Sequence, residues 1–291
     1  MSKRFFICIT AHDPLSRFDS LLKVLRSYED IPGYAEVYIF IDKEHEKDSK
    51  DLDELLFNNL PHTVYSIEVA PAEYEGFYLT WSHKSLLKSA VLTKSFDYYI
   101  YSENDMLFSP DNFNYWVTYK DFLKSLNLEP GFCRFERFEN KLIPFDNYKQ
   151  WALNGPTPSV WGDVPYRVQT HLTPYLDFVG FASLGNPYMG MMILDQEMAD
   201  QYINSESFDP VKSFAKTKIR CWPIADRSSM GLAFEGLRAE QEHRRVVPII
   251  RRDGKISIDP CALIEHLDTK YSKSLLQEHG SLLETNDLFL T

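Results

Sequence analysis

The four cysteines of this 291-residue chain, Cys8, Cys133, Cys221 and Cys261, are scattered and form no Cys-x-x-Cys pair. That spacing suggests neither a zinc ribbon nor a disulfide framework, and reduced thiols in a cytoplasmic protein are the default reading. Basic residues are in the minority, with 31 Lys and Arg against 42 Asp and Glu, a net charge of −11. A whole-surface binder of nucleic acid needs the opposite balance, because neutralising many phosphates takes a basic excess. A small anionic ligand stays possible, since one helix N-terminus, one lysine or a metal ion holds a diphosphate locally. The chain also lacks Gly-x-Gly-x-x-Gly after its first strand and the Gly-x-x-x-x-Gly-Lys loop anywhere. Their absence weakens dinucleotide oxidoreductase and P-loop NTPase readings.

Long hydrophobic runs are missing as well. The longest uncharged stretch, Phe178 to Leu194, falls just short of the roughly 20 apolar residues that a membrane span requires. Asn186-Pro187 and three glycines, Gly180, Gly185 and Gly190, interrupt it, so strand, turn and strand are expected. The opening MSKRFFICITAHD turns polar too soon for a signal peptide. No internal repeat or low-complexity segment is found.

What is abundant is aromatic, with Phe 20, Tyr 17 and Trp 5, enough that some rings are expected to line a surface or cleft. Four β-branched or aromatic runs, Arg4 to Thr10, Glu36 to Asp42, Thr63 to Val69 and Asp97 to Ser102, read as strands. Between them Phe18, Leu21, Leu22 and Leu25 follow helical spacing, as do Leu79, His83, Leu86, Leu87, Ala90 and Val91. Alternation of this kind predicts an α/β fold with a mostly parallel central sheet covered by helices on both faces. Farther on, helices are expected over Asp111 to Leu126, over Asp195 to Tyr202 with Asp195 as cap, and over Asp226 to Leu237. A strand-like PGFCRFERF precedes an irregular region, Trp151 to Pro165, that reads as a binding loop. No linker separates autonomous halves, so one domain, 1–291, is expected, with residues 111–291 as its elaborated part.

Open α/β sheets bind ligands at the carboxyl ends of their strands. There the first strand runs into Thr10-Ala11-His12-Asp13-Pro14 and the second ends at Asp42, polar groups suited to a nucleotide base or ribose, or equally to turns and caps. The sharpest signal is DYYIYSENDMLF, residues 97 to 108, where an apolar strand ends in Ser102-Glu103-Asn104-Asp105. Two carboxylates at i and i+2 converge on one divalent cation at a bend, and a cation compensates acids set beside apolar residues.

At these residues the chain resembles nucleotide-sugar-dependent glycosyltransferases of the GT-A fold, nearest to small bacterial enzymes of polysaccharide and glycoconjugate synthesis. The resemblance covers the first 120 residues best and 177–271 more loosely. It implies a GT-A-like, Rossmann-like sheet, a donor-binding half over 1–110, an acceptor-binding half over 111–291, and Mn2+ or Mg2+ as cofactor. By it Asp105 coordinates the metal, while Glu103, a Glu in the first position of the DxD-type motif, and Asn104 lie by the donor with Thr10, Ala11, His12 and Asp42. Trp81 and Lys84 of LTWSHK are implied donor contacts, a stacking ring and a partner for phosphate, against the plain alternatives of packed ring and solvated lysine. His266, in the late Ile264-Glu265-His266-Leu267 run, would complete the metal site. Asp226 is the implied general base of an inverting reaction, or a plain helix cap. Tyr188 and Trp161 are candidates for the acceptor face, and His83 is expected in the core.

The implied activity is metal-dependent transfer of a hexose-type sugar from a nucleotide-sugar donor to a glycan or lipid-linked glycan hydroxyl, with inversion or retention undetermined. Two alternatives stay open, a sugar nucleotidyltransferase, weakened by the glycine-free loop TAHDPLSR, and a non-catalytic nucleotide- or sugar-binding protein. Peripheral membrane contact would need a local patch, such as a helix around His243, Arg244 and Arg245. Arg134 and Glu136, alternating on one strand, are expected to form a structural ion pair.

Overall fold

Seven of the eight residues of the first strand, β1 (Arg4–Ala11), are buried, Phe6 and Cys8 as deeply as Ile7 and Ile9. Burial of both alternating sets marks a strand inside a sheet covered on both faces. The computed structural model describes residues 2–144, 178–184, 186–216, 223–238, 241, 243–252 and 255–273. The chain divides into two compact units, one of Met1–Pro110 with Gly190–Glu235 and one of Asp111–Met189 with Gly236–Thr291.

In the first unit β1 is followed by α1 (Phe18–Glu29), β2 (Tyr34–Ile41), α2 (Ser49–Asn59), β3 (Val64–Val69), α3 (Lys84–Thr93), β4 (Tyr98–Glu103) and the short β5 (Met106–Leu107). The chain returns to this unit as β10 (Met191–Asp195), α5 (Gln196–Ile203), α6 (Pro210–Lys216) and α7 (Ile224–Arg227). The sheet runs β10-β4-β1-β2-β3, parallel through its last four strands with β10 antiparallel on β4. This is the α/β fold with a mostly parallel central sheet that the alternating pattern predicts. The register sets Thr10 level with Phe40 on one side and Glu103 on the other, which aligns the carboxyl ends of β2, β1 and β4. One face of the sheet, Phe6, Cys8, Phe40, Tyr99, Tyr101, Met192 and Leu194, packs on Leu87 and Val91 of α3 and on Ala199 and Tyr202 of α5.

Local chemistry explains several boundaries. The Asp195 side chain accepts from Met198 N at 2.9 Å and so caps α5. Gly190 has φ +64°, and a Cβ there would stand 2.8 Å from Met106, so both backbone and space require glycine. The helical spacing of Leu79 to Val91 is realised in two pieces, a 3-10 turn over Gly76–Trp81 and then α3 from Lys84. The helix expected over Asp226 to Leu237 is not formed. Only the single turn of α7 is helical, because Gly231 and Gly236 take φ of +54° and +57°, which a right-handed helix cannot pass through.

The second unit holds α4 (Pro110–Ser125), β6 (Glu129–Pro130), β7 (Cys133–Phe138), β8 (Lys141–Pro144), β9 (Phe178–Ala182), β11 (Arg245–Arg252), β12 (Lys255–Ile258) and β13 (Leu263–His266). Strand β11 pairs antiparallel with β9 and β12 and parallel with β6, while β7 lies between β13 and β8. The basic helix suggested around His243 to Arg245 is therefore a strand entrance with two of its three residues buried. Arg245 donates to Glu129 at 3.1 Å and to the Pro187 carbonyl, and His243 Nε2 meets the Leu184 carbonyl at 2.7 Å. No helix among the described residues is long and apolar enough to cross a membrane.

Candidate functional site

The carboxyl ends of β1, β2 and β4 carry the polar residues of the first unit that lack an obvious structural purpose. The Thr10 hydroxyl, itself buried, lies 2.9 Å from the Tyr101 hydroxyl on the neighbouring strand. Past Ala11, the partly exposed His12 places Nδ1 3.0 Å from Asp42 Oδ2, just after β2. Asp42 makes no side-chain cap to the turn that follows it, and its second oxygen, Oδ1, is buried without a hydrogen-bond partner. An uncompensated carboxylate oxygen of that kind is costly and asks for a donor.

The acidic segment leaves the sheet beside them. Glu103 ends β4, its N–H bound to the Gly190 carbonyl at 3.0 Å, and the chain then turns at Asn104-Asp105. Asn104 N donates to the Thr10 carbonyl at 3.1 Å, which anchors the turn to β1. Its side-chain amide nitrogen is buried and without an acceptor. Asp105 is buried, with the Arg17 guanidinium 3.5 Å from Oδ2. Arg17 is the residue the sequence reading missed. It stands at the end of a tight loop in which Asp13 takes φ +45° and the Asp13 carbonyl accepts from Arg17 N at 3.2 Å. Its presence in TAHDPLSR was visible, but its contact lies 88 residues away.

Four nominated residues of this unit therefore meet in two pairs, His12 with Asp42 and Asn104 with Thr10, while Ala11 and Glu103 flank them. Trp81 and Lys84 go elsewhere. The Trp81 indole is fully buried and donates to the Ile224 carbonyl at 2.7 Å, so its ring is packed and offers no stacking face. Lys84 is buried too, donating to the Tyr202 hydroxyl and, at 2.7 Å, to the Ser228 carbonyl. Burial holds its amine well below the usual lysine range. Lys84 is thus committed to these partners, whereas Arg17 brings a guanidinium to the strand-end acid Asp105. Asp226 sits inside α7, whose N-cap position is Pro223, and is half-buried instead of capping a long helix.

The remaining nominations belong to the second unit. His266 Nδ1 lies 3.0 Å from Glu136 Oε1 and 3.1 Å from the Asp268 carbonyl. Glu136 is fully buried and also accepts from Ser272 N at 2.6 Å and Tyr271 N at 3.1 Å, so its structural partner is His266 and the chain beyond it, not Arg134. Burial alone would raise the Glu136 carboxyl, but the hydrogen bonds from His266 and Ser272 outweigh it and hold it below its ordinary value. Arg134 covers the ring of Tyr188 at 4.2 Å, leaving that tyrosine packed and 7% exposed. Trp161, like Trp151, lies outside the described residues.

Among the described residues no three His, Cys, Asp or Glu side chains gather closely enough to hold a metal ion by themselves. The donor set at the end of β4 still fits a hard divalent cation. Mg2+ is commonly held by one or two carboxylates and completed by substrate phosphates and water, and Glu103 and Asp105 are two carboxylates at one strand end.

No protein-family model matches the chain, and no curated protein matches it either. Among solved structures, 4-diphosphocytidyl-2C-methyl-D-erythritol synthase from Anaerococcus prevotii is similar at 16% identity, over 70% of this chain and 77% of that one, with a TM-score of 0.32. A likeness of that order assigns neither substrate nor reaction.

Proposed function

We propose that the protein is a metal-dependent glycosyltransferase that moves a sugar from a nucleotide-sugar donor to a hydroxyl acceptor. One observation carries the reading: at the carboxyl ends of β2 and β4, on either side of β1, Asp42 Oδ1 and Asn104 Nδ2 are buried polar atoms without partners. A donor and an acceptor atom left in that state fit a ligand rich in both, such as a nucleoside. On this reading Thr10, Ala11, His12 and Asp42 meet the nucleoside, and Asn104 its ribose or phosphate.

Asp105 and Glu103 would hold Mn2+ or Mg2+, which when bound supplies positive charge to the departing diphosphate. Arg17 adds a second positive charge beside Asp105, so leaving-group stabilisation is shared between residue and cation. Asp226 takes the proton from the acceptor hydroxyl if configuration inverts, and has no such role if it is retained.

A nucleotidyltransferase is favoured by a different observation. An arginine in the loop after the first strand, beside the strand-end acid, is what attack on a nucleotide α-phosphate would need, and Arg17 stands there. The two are separated by their products. Calorimetric titration with UDP-, GDP-, CMP- and dTDP-sugars, in Mn2+ or in EDTA, is expected to find one that binds only with metal. Asp105→Ala should abolish that binding. Incubation with the bound donor then transfers sugar and releases the nucleoside diphosphate, or CMP from a CMP-sugar, if the glycosyltransferase reading holds. Formation of a sugar nucleotide from sugar phosphate and nucleoside triphosphate would replace it with the other. Equal binding by Asp105→Ala would remove the metal site from either.

A further inference from the structure

Three side chains ahead of the acidic strand reach into one short piece of backbone. Trp81 Nε1 donates to the Ile224 carbonyl at 2.7 Å, Thr80 Oγ1 lies 3.4 Å from the Ala225 carbonyl, and Lys84 Nζ donates to the Ser228 carbonyl at 2.7 Å. These acceptors bracket Asp226 on both sides. All three donors are buried, and so are Ser228 and Ser229 that follow.

Lys84 is the unusual member. No carboxylate pairs with it among the described residues; its ammonium lies over the rings of Trp81, Tyr202 and Phe208 at 5.0, 4.6 and 5.7 Å. Burying an ammonium without an anion is expensive, and an apolar side chain of the same length would hold these rings together at less cost. What methionine could not do is donate a hydrogen bond to a fixed carbonyl. That carbonyl lies two residues beyond Asp226.

We propose that Lys84, together with Trp81, is a positioning residue: the pair grips the backbone of Ile224 to Ser228 so that the Asp226 carboxylate is presented in one orientation to the acceptor hydroxyl. This deepens the glycosyltransferase reading and rests on it. The physical need is plain, because a base displaced by about 1 Å from its proton costs on the order of 100-fold in rate. A one-turn helix, with the left-handed Gly231 barring its continuation a few residues on, supplies little rigidity of its own, so the grip has to come from outside the segment.

The test uses Lys84→Met and Trp81→Phe in the full chain. Lys84→Met is expected to fold, because a methionine of similar length still fills the space among the rings of Trp81, Tyr202 and Phe208. Trp81→Phe keeps a ring and removes only the donor. Two readouts are taken, amide hydrogen exchange over 225–230 against 87–93 in α3, and kcat and KM for transfer from whichever of the UDP-, GDP-, CMP- or dTDP-sugars binds.

Each variant should speed exchange over 225–230 while α3 keeps its protection, and lower kcat by about tenfold or more with KM within about threefold. A purely structural role would not divide kcat from KM in this way. Unchanged exchange overturns the grip, and faster exchange with wild-type kcat overturns its purpose. A raised KM with unchanged kcat would instead make Lys84 a donor contact. Asp226→Asn is run alongside. If it turns over at the wild-type rate, the base assignment fails and the kinetic half of this proposal with it, while unchanged exchange in Lys84→Met is a failure of the proposal alone.

Discussion

His83 is fully buried, its ring stacked on Tyr101 with centroids 4.1 Å apart, and neither ring nitrogen makes a well-formed hydrogen bond. Burial, and then the neighbouring Lys84 charge, hold its imidazole well below the usual histidine range; the Thr80 backbone offsets only the smallest part of this. The consequence for stability has a definite sign. The folded group stays neutral, whereas the unfolded chain takes up a proton below about pH 6.5. The unfolded state then binds more protons, so stability contributed by neutral His83 is complete above pH 6.5 and is lost as pH falls beneath it. Between pH 7 and pH 5 the wild type should lose up to about 2 kcal/mol that His83→Leu does not lose. Urea midpoints of the two proteins at both pH values measure the difference. Equal losses would mean that His83 titrates normally in the fold. The same ring backs Tyr101, whose hydroxyl meets Thr10, so an acid-induced change here would reach the edge of the proposed nucleotide site.

The α5 cap is the simplest case among the elements. Replacing Asp195 by Ala leaves Met198 N without its acceptor and should cost about 1 kcal/mol. The loss is to appear as faster exchange at the start of α5 and a lower denaturation midpoint; unchanged exchange would show that water serves the amide equally well. Asp195 was legible in the sequence because cap and amide are three residues apart. The parallel strands were legible for a related reason, since a strand buried on both faces writes its apolar run into consecutive residues such as Phe5 to Ile9. Features decided by distant chain were not. Arg17 finds Asp105, Lys84 turns inward to Ser228, and Arg245 enters a strand against Glu129, each across a span that no local pattern encodes. The helix expected after Asp226 failed for a different cause. An acid placed like an N-cap was present, but two glycines adopt a left-handed backbone that a capping residue does not report.

At the scale of the whole molecule, a net charge of −11 repels any polyanion, and three of the acids behind it, Glu103, Asp105 and Asp42, stand at the sheet end itself. On the proposed reading a nucleoside diphosphate has to be accepted locally, by Arg17 and by a cation, against the sign of its surroundings. Binding to the folded state raises stability by RT ln(1 + [L]/Kd), about 2.7 kcal/mol at a hundred times Kd. For a chain of this size that corresponds to a rise in Tm on the order of 5 °C. The rise should appear with nucleotide and Mn2+ together and vanish in EDTA, where diphosphate and carboxylates face one another unscreened by the ion. An RNA oligonucleotide of the same base with Mn2+ should leave Tm unchanged, because one cation and one arginine cannot neutralise a row of phosphates. Stabilisation by nucleotide that persists in EDTA would place the phosphates on protein groups alone, and the two strand-end acids would then need another purpose.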